Sequence, residues 1–190
     1  MTRIIAGSHG GRRLVTPAGS GTRPTSDRVR EALFNSIEST LDLDGARVAD
    51  LYAGSGAVGL EAVSRGASHV LLVEAEPRAA RLARENVRAL GVGDSVRLVT
   101  DRVERFLAAA PAVPHDVVFA DPPYALPDSQ VGEMLTALVA GGWLAEEAVV
   151  VVERSSRGTP LGWVDGLVPL FTDASGRRYG ETTLWYGRRS

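Results

Sequence analysis

From Arg47 onward, short apolar runs alternate with stretches whose hydrophobic positions recur at helical spacing. Arg47–Leu51 reads as a strand and Gly56–Arg65 as the helix after it. Val70–Val73 is a second strand. Pro77 suits the first position of a helix that runs to Leu90 and stops at Gly91. Val96–Val99 is a third strand, followed by a short helix over Val103–Ala109. Val117–Ala120 is a fourth, a helix covers Ser129–Ala140, and Ala148–Val152 is a fifth strand. Fully apolar strands separated by amphipathic helices predict a parallel sheet covered on both faces.

The two ends of the chain break this rhythm. Arg3–Ala6 and Arg12–Val15 are short β-type runs around Gly7-Ser8-His9-Gly10-Gly11, which predicts a hairpin. Pro17–Pro24 reads as a loop. Thr25 or Ser26 can cap a helix to about Leu41, with Val29, Ala32, Leu33, Ile37 and Leu41 on one face. After Arg157 no helix is evident. Leu161–Phe171 and Tyr179–Tyr186 read as two strands that form an antiparallel hairpin at one sheet edge. The expected division is a basic arm over residues 1–24 and one α/β domain over residues 25–190.

The chain of 190 residues has room for one sizeable core. Cysteine is absent, which excludes disulfides, thiolate metal sites and cysteine nucleophiles. The three histidines show no metal-ligand spacing, so no metal is expected. No apolar run approaches the roughly 18 residues of a membrane span, and the first residues lack a signal-peptide core. A cytoplasmic location and a monomer are the default expectations. Charge is unevenly spread. All 21 basic residues are arginine, and residues 1–30 hold six of them against a single acid, Asp27. Arg3, Arg12, Arg13, Arg23, Arg28 and Arg30 are therefore candidates for contact with a phosphate backbone.

Two motifs carry candidate chemistry. Asp50-Leu51-Tyr52-Ala53-Gly54-Ser55-Gly56-Ala57-Val58-Gly59 lies where the first strand gives way to a helix. Gly54-x-Gly56-x-x-Gly59 lets a turn fold tightly and lets a cofactor approach the backbone. Glu74, 20 residues beyond Gly54, can accept hydrogen bonds from adenosine ribose hydroxyls, and Asp101-Arg102-Val103 is placed to meet an adenine edge. Asp50, Tyr52, Ala53, Gly54, Ser55, Gly56, Gly59, Glu74, Asp101, Arg102 and Val103 are thus the candidate cofactor residues. A nicotinamide dinucleotide or S-adenosylmethionine would satisfy this set.

The second motif is Asp121-Pro122-Pro123-Tyr124, after the fourth strand. In an open parallel sheet, ligands gather at the carboxyl ends of the strands, near the point where strand order reverses. An exocyclic amine on a nucleobase is a poor nucleophile because its lone pair is delocalised. Asp121 and the Pro122 carbonyl can each accept one amine N–H and turn that lone pair toward a methyl donor. The prolines stiffen the turn, and Tyr124 can stack on an extruded base. These four are the candidate catalytic residues. A nicotinamide-dependent oxidoreductase leaves them, the terminal hairpin and the basic arm unexplained.

The sequence resembles the RsmD-type methyltransferases over nearly its whole length. The resemblance rests on Arg3–Gly7, Gly11–Leu14, Arg23–Thr25, Asp27–Asn35, Asp50–Gly59, Asp121–Tyr124 and Tyr179–Thr182. It implies a class I S-adenosylmethionine-dependent methyltransferase fold, Rossmann-like. Its sheet is expected to be mostly parallel and seven-stranded, with a terminal antiparallel hairpin and a small N-terminal β-hairpin extension. It implies S-adenosylmethionine as cofactor and S-adenosylhomocysteine as product. It implies methylation of a guanine N2 in 16S ribosomal RNA, free or in the assembling small subunit. The Arg23–Phe34 region is then expected over the cofactor, shaping the base pocket. An adenine-N6 or DNA-directed enzyme of the same chemistry, and a catalytically silent RNA-binding module, are the remaining alternatives. Cytosine-C5 methylation usually needs a cysteine nucleophile and is disfavoured.

Overall fold

The computed structural model describes residues 2–18, 26–173 and 176–190. The chain forms two compact units, Met1–Asp101 and Arg102–Ser190. Arg23, the Pro24–Thr25 step and most of the predicted Pro17–Pro24 loop lie outside the described residues.

The first unit opens with a two-stranded hairpin, β1 (Thr2–Arg3) and β2 (Arg13–Leu14), joined through a single 3₁₀ turn at Gly7–His9. Helix α1 spans Asp27–Glu38, and its cap is Ser26, whose Oγ accepts from the Val29 amide at 3.3 Å. Then come β3 (Arg47–Leu51), α2 (Ala57–Ser64), β4 (His69–Val73), α3 (Pro77–Leu90) and β5 (Val96–Val99). The three strands are parallel in the order β5-β4-β3. Helix α3 has the bounds its signals predict. The Glu76 carboxylate accepts from the Arg78 and Ala79 amides at 3.0 and 2.7 Å, and Gly91 ends the helix in the left-handed region. These amides hold the Glu76 carboxyl below its usual range.

The hairpin is built into this unit. Ile4 and Leu14 are buried in one apolar cluster with Ala57, Leu60, Leu90 and Val92. A buried carboxylate, Glu61 of α2, accepts from the amides of Ile5 and Ala6 at 2.8 and 3.0 Å. Arg65 Nε donates to the same carboxylate at 2.9 Å, and Arg30 Nε lies 3.6 Å from it. Arg30 also donates to the carbonyl of Arg3. Asn86 of α3 completes the attachment by exchanging two hydrogen bonds with the backbone of Val15, at 2.7 and 2.9 Å. Gly7 has no alternative, since a Cβ there would stand 1.8 Å from the Ser64 carbonyl oxygen.

The second unit contains α4 (Val103–Phe106), β6 (His115–Ala120), α5 (Asp128–Ala140), β7 (Leu144–Ser155), β8 (Leu167–Pro169), β9 (Arg177–Tyr179) and β10 (Thr182–Arg189). β6 and β7 are parallel, and β10 runs antiparallel to β7, β8 and β9. β7 is far longer than the Ala148–Val152 core that hydropathy marks. Its register against β6 jumps between His115↔Leu144 and Val117↔Val149, and Glu147 in that irregularity has φ 62°.

The tail corrects two expectations. Only Leu167–Pro169 of the predicted Leu161–Phe171 strand pairs, because Pro160, Gly162 and Gly166 interrupt it. The predicted Tyr179–Tyr186 strand is divided by a Gly180-Glu181 turn into β9 and β10. Apart from the two strands of the N-terminal hairpin, the first unit holds three strands and the second five, eight where seven are predicted, the additional one being β9. Among the described residues no helix is long and apolar enough to cross a membrane.

Candidate functional site

Residues 52–59 turn from β3 into α2 with three positive φ angles, at Tyr52 (61°), Gly54 (58°) and Gly56 (85°). The three motif glycines serve different ends. A Cβ on Gly59 would meet Leu72 Cδ2 at 2.3 Å and Val70 Cγ1 at 2.9 Å, so this glycine lets α2 lie close on β4. Gly56 caps α2 in the left-handed region, and a Cβ there would crowd Leu72 Cδ1 at 3.1 Å. A Cβ on Gly54 meets nothing within 4 Å. The open cradle is therefore at Tyr52-Ala53-Gly54, all half-buried, while Ser55 is buried and gives its carbonyl to Asn86 at 3.0 Å.

Glu74 closes one side of the cradle. Its Oε2 accepts from the Gly54 amide at 2.8 Å and its Oε1 from the Glu76 amide at 3.2 Å. Both carboxylate oxygens keep further lone pairs, and the residue is half-buried at the strand end. This fits an adenosine cofactor that offers two ribose hydroxyls and needs backbone free of side chains beside it. The donor set of glycine backbone, Glu74 carboxylate and half-buried Tyr52 is the part of the structure that would hold such a group.

Asp50 behaves differently from its sequence assignment. Its carboxylate is buried, and Oδ2 accepts from the Gly59 amide at 2.9 Å, so it pins the loop and the first turn of α2 from inside. Burial raises its pKa well above the usual range. The Gly59 amide opposes that shift, and the charge of Glu74 adds to it. A carboxyl with a raised folded pKa is protonated in the fold while its unfolded counterpart ionises. The unfolded state thus binds fewer protons, and stability is lost as pH rises above the ordinary carboxylate range. Asp50→Asn should gain stability relative to the wild type between about pH 4 and pH 7. Urea unfolding of both proteins at the two pH values checks this, and a difference that does not change with pH would refute it.

Asp101 closes the first unit and is half-buried. Arg102 is exposed and pairs with Glu104, while Val103 is buried in the second unit. The Asp121-Pro122-Pro123-Tyr124 tetrapeptide follows β6. Asp121 is half-buried, Pro122 buried and Pro123 exposed, and Tyr124 is 50% exposed. A large aromatic ring left half in solvent suits stacking on a ligand more than core packing. A cavity of about 270 Å³ opens beside this ring, lined by Leu126, Pro127, Arg154, Ser155 and Thr159 among others.

The basic arm divides. Arg3, Arg12, Arg13 and Arg28 are exposed, although Arg12 gives one N–H to the Ala89 carbonyl at 2.6 Å and Arg3 lies 3.7 Å from Asp27. Arg30 is fully buried, so it cannot meet a phosphate from where it stands, and its charge and place among the other arginines do not reveal that burial. Phe34, at the end of the region expected over the cofactor, is also buried, with the Arg65 guanidinium 5.0 Å from its ring centroid. The sequence reading missed Glu61 and Arg154, both buried and both donor or acceptor hubs. The Glu153-Arg154 pair at the end of an apolar run was the available signal for the second.

A parallel β–α–β unit with a bare glycine cradle, an acid ending the next strand and Asp-Pro-Pro-Tyr ending a later one defines a class I S-adenosylmethionine-dependent methyltransferase. The solved structure of yhhF from Escherichia coli matches 100% of this chain and 98% of its own with a TM-score of 0.84 and 34% identity. Magnesium protoporphyrin IX methyltransferase from Synechocystis PCC 6803, solved with bound S-adenosylmethionine, shares the fold at a TM-score of 0.65 and 14% identity. That match covers 86% of this chain and 79% of that one. The family model described as Conserved hypothetical protein 95 matches residues 2–188, and the chain belongs to that family. Ribosomal RNA small subunit methyltransferase D of Escherichia coli is 41% identical over 165 residues, which span 85% of this chain and 80% of that protein.

Proposed function

We propose that this protein transfers a methyl group from S-adenosylmethionine to the exocyclic N2 amine of a guanine in 16S ribosomal RNA. The observation that carries this reading is the Asp121–Tyr124 loop, a carboxylate and carbonyls beside a half-exposed phenol ring at a strand end. The likeness to the small-subunit RNA methyltransferase supports the choice of substrate.

The cradle at Tyr52–Gly54 and the Glu74 carboxylate would hold the cofactor, which would supply an electrophilic methyl on a sulfonium. Asp121 accepts one N–H of the target amine, and the Pro122 carbonyl accepts the other. The nitrogen would become more pyramidal and its lone pair available for alkylation; the N–C bond would form as the donor's S–C bond breaks and S-adenosylhomocysteine leaves, and Asp121 would take the proton that the alkylated amine gives up. Tyr124 stacks on the base and fixes its plane. Most of the rate advantage then comes from alignment, with reacting atoms held about 3–3.5 Å apart. The arm, residues 1–24, presents Arg3, Arg12 and Arg13 to the phosphate backbone, and Arg28 extends this basic face.

Incubation with radiolabelled methyl donor and 16S RNA, as free RNA and as small subunits, tests the reading. Nucleoside analysis should recover the label as N2-methylguanosine. Label in N6-methyladenosine, or transfer to duplex DNA alone, would overturn the substrate assignment.

A further inference from the structure

The two prolines that stiffen the Asp121–Tyr124 loop also remove two of its four amide donors, so its carbonyls and side chains carry much of the task of fixing it. The end of β7 supplies the missing donors. Arg154, whose side chain is 10% exposed, donates from Nη1 to the Pro123 carbonyl at 3.2 Å. Its Nη2 donates to the Leu126 carbonyl at 2.8 Å and to Asp128 Oδ1 at 3.2 Å. The other oxygen of Asp128 accepts from the Thr159 hydroxyl at 2.8 Å. Thr159 and Arg154 together hold the Asp128 carboxyl below its usual range, which keeps it ionised as a partner. The loop also closes on itself, with the Leu126 amide donating to the Pro123 carbonyl at 2.9 Å. Pro123 thus has an oxygen with two donors, turned toward the protein.

Glu153, the preceding residue of β7, projects from the opposite face of the strand. Its Oε1 accepts from the Thr182 hydroxyl at 3.2 Å, and that hydroxyl lies 3.1 Å from the phenol oxygen of Tyr124. Leu184 is the direct partner of Glu153 in the β7–β10 register, so Thr182 is its diagonal neighbour on the same face. Two adjacent strand residues therefore reach the same loop, one on its backbone and one, through Thr182, on its ring.

We propose that Arg154 and the Thr182–Glu153 pair are positioning residues for methyl transfer. Arg154 sets the path of the backbone after Asp121, and Thr182 sets the direction of the Tyr124 ring. The proposal rests on the function assigned above. A lysine cannot replace Arg154 fully, because one ammonium lacks the planar fork that spans three separated acceptors.

Full-length Arg154→Met, Arg154→Lys, Thr182→Val and Thr182→Ser are compared with the wild type. The measurements are donor affinity by calorimetry, kcat and KM on small-subunit RNA, thermal unfolding, and amide exchange over residues 122–128. Arg154→Met should lower kcat by about 10- to 100-fold, the usual loss for a misplacement near 1 Å. Donor affinity should stay unchanged while exchange at Leu126 accelerates. Arg154→Lys should recover part of the loss. Thr182→Val should lower kcat and raise the RNA KM, and Thr182→Ser should restore both. A folded Arg154→Met with wild-type kcat overturns the proposal, as does a loss of kcat matched by an equal loss of donor affinity. Should Arg154→Met fail to fold, the Val–Ser contrast at Thr182 decides, and equal activity of those two variants refutes the proposal. A wild type that methylates no RNA defeats the functional reading instead, and the exchange data still decide whether Arg154 holds the loop.

Discussion

Replacing Asp121 by alanine is expected to lower methyl transfer by about 10²–10³-fold, the loss typical of removing one preorganised polar group from a reacting centre. Three consequences of the proposed geometry set that size. The amine loses an acceptor that holds its N–H, the lone pair returns toward conjugation with the ring, and the departing proton loses its local base. Cofactor affinity should change little, because the substitution leaves untouched the groups proposed to hold the cofactor, the cradle at Tyr52–Gly54 and the Glu74 carboxylate. Asp121→Asn keeps one acceptor oxygen and loses the base, so it should fall between alanine and the wild type. Single-turnover rates with labelled donor, beside calorimetric donor affinities, measure both quantities. Turnover by Asp121→Ala at the wild-type rate would remove the carboxylate from the mechanism.

The second large effect concerns stability. Glu61→Ala should destabilise the protein by about 3–5 kcal/mol, the usual consequence of stranding a buried charge. Glu61 is fully buried, and so is Arg30, while the Arg65 side chain is 7% exposed. Truncation takes from the Arg30 and Arg65 guanidinium groups the carboxylate they share in the interior, with Asp27 at 3.2 Å and Glu38 at 2.9 Å remaining as their outer partners, and leaves the amides of Ile5 and Ala6 without their acceptor. For a chain of this length the loss corresponds to roughly 6–20 °C in Tm. Urea and thermal unfolding check it. Glu61→Gln should recover part of the loss through its remaining carbonyl oxygen. Exchanging Glu61, Arg30 and Arg65 together for apolar residues of similar size should cost far less than Glu61→Ala, because no charge is then stranded. Equal stability of Glu61→Ala and the wild type would show that the cluster does not hold the hairpin.

Local signals made much of the fold legible. Pro77 and Gly91 bracket α3, and apolar periodicity marks β3 and β5 at their observed bounds, because those cues act within a few residues. The glycine loop and Asp-Pro-Pro-Tyr were legible for the same reason. Features settled by distant partners were not. Whether Arg30 faces water or Glu61 depends on a helix 31 positions further along, and nothing in its neighbourhood reveals that. Arg154 looks like a solvated charge at a strand end until the loop of Pro123–Leu126 is brought over it. The tail strands went astray because pairing with β10 decides which residues extend, and strand propensity does not see the partner. Asp50 belongs to the same group. A carboxylate in a glycine motif looks like a ligand contact, but the Gly59 amide nine residues on claims it.

The fastening of the N-terminal hairpin bears on how an RNA would be met. Ile5 and Ala6 are already hydrogen-bonded to a buried carboxylate, and Val15 is already clasped by Asn86. A segment whose dihedral angles are settled in advance surrenders little configurational freedom when a ligand arrives, so in the proposed role its arginines would enter the encounter as a rigid template. The heat capacity of association should then reflect contact area alone, without the larger change that accompanies coupled folding.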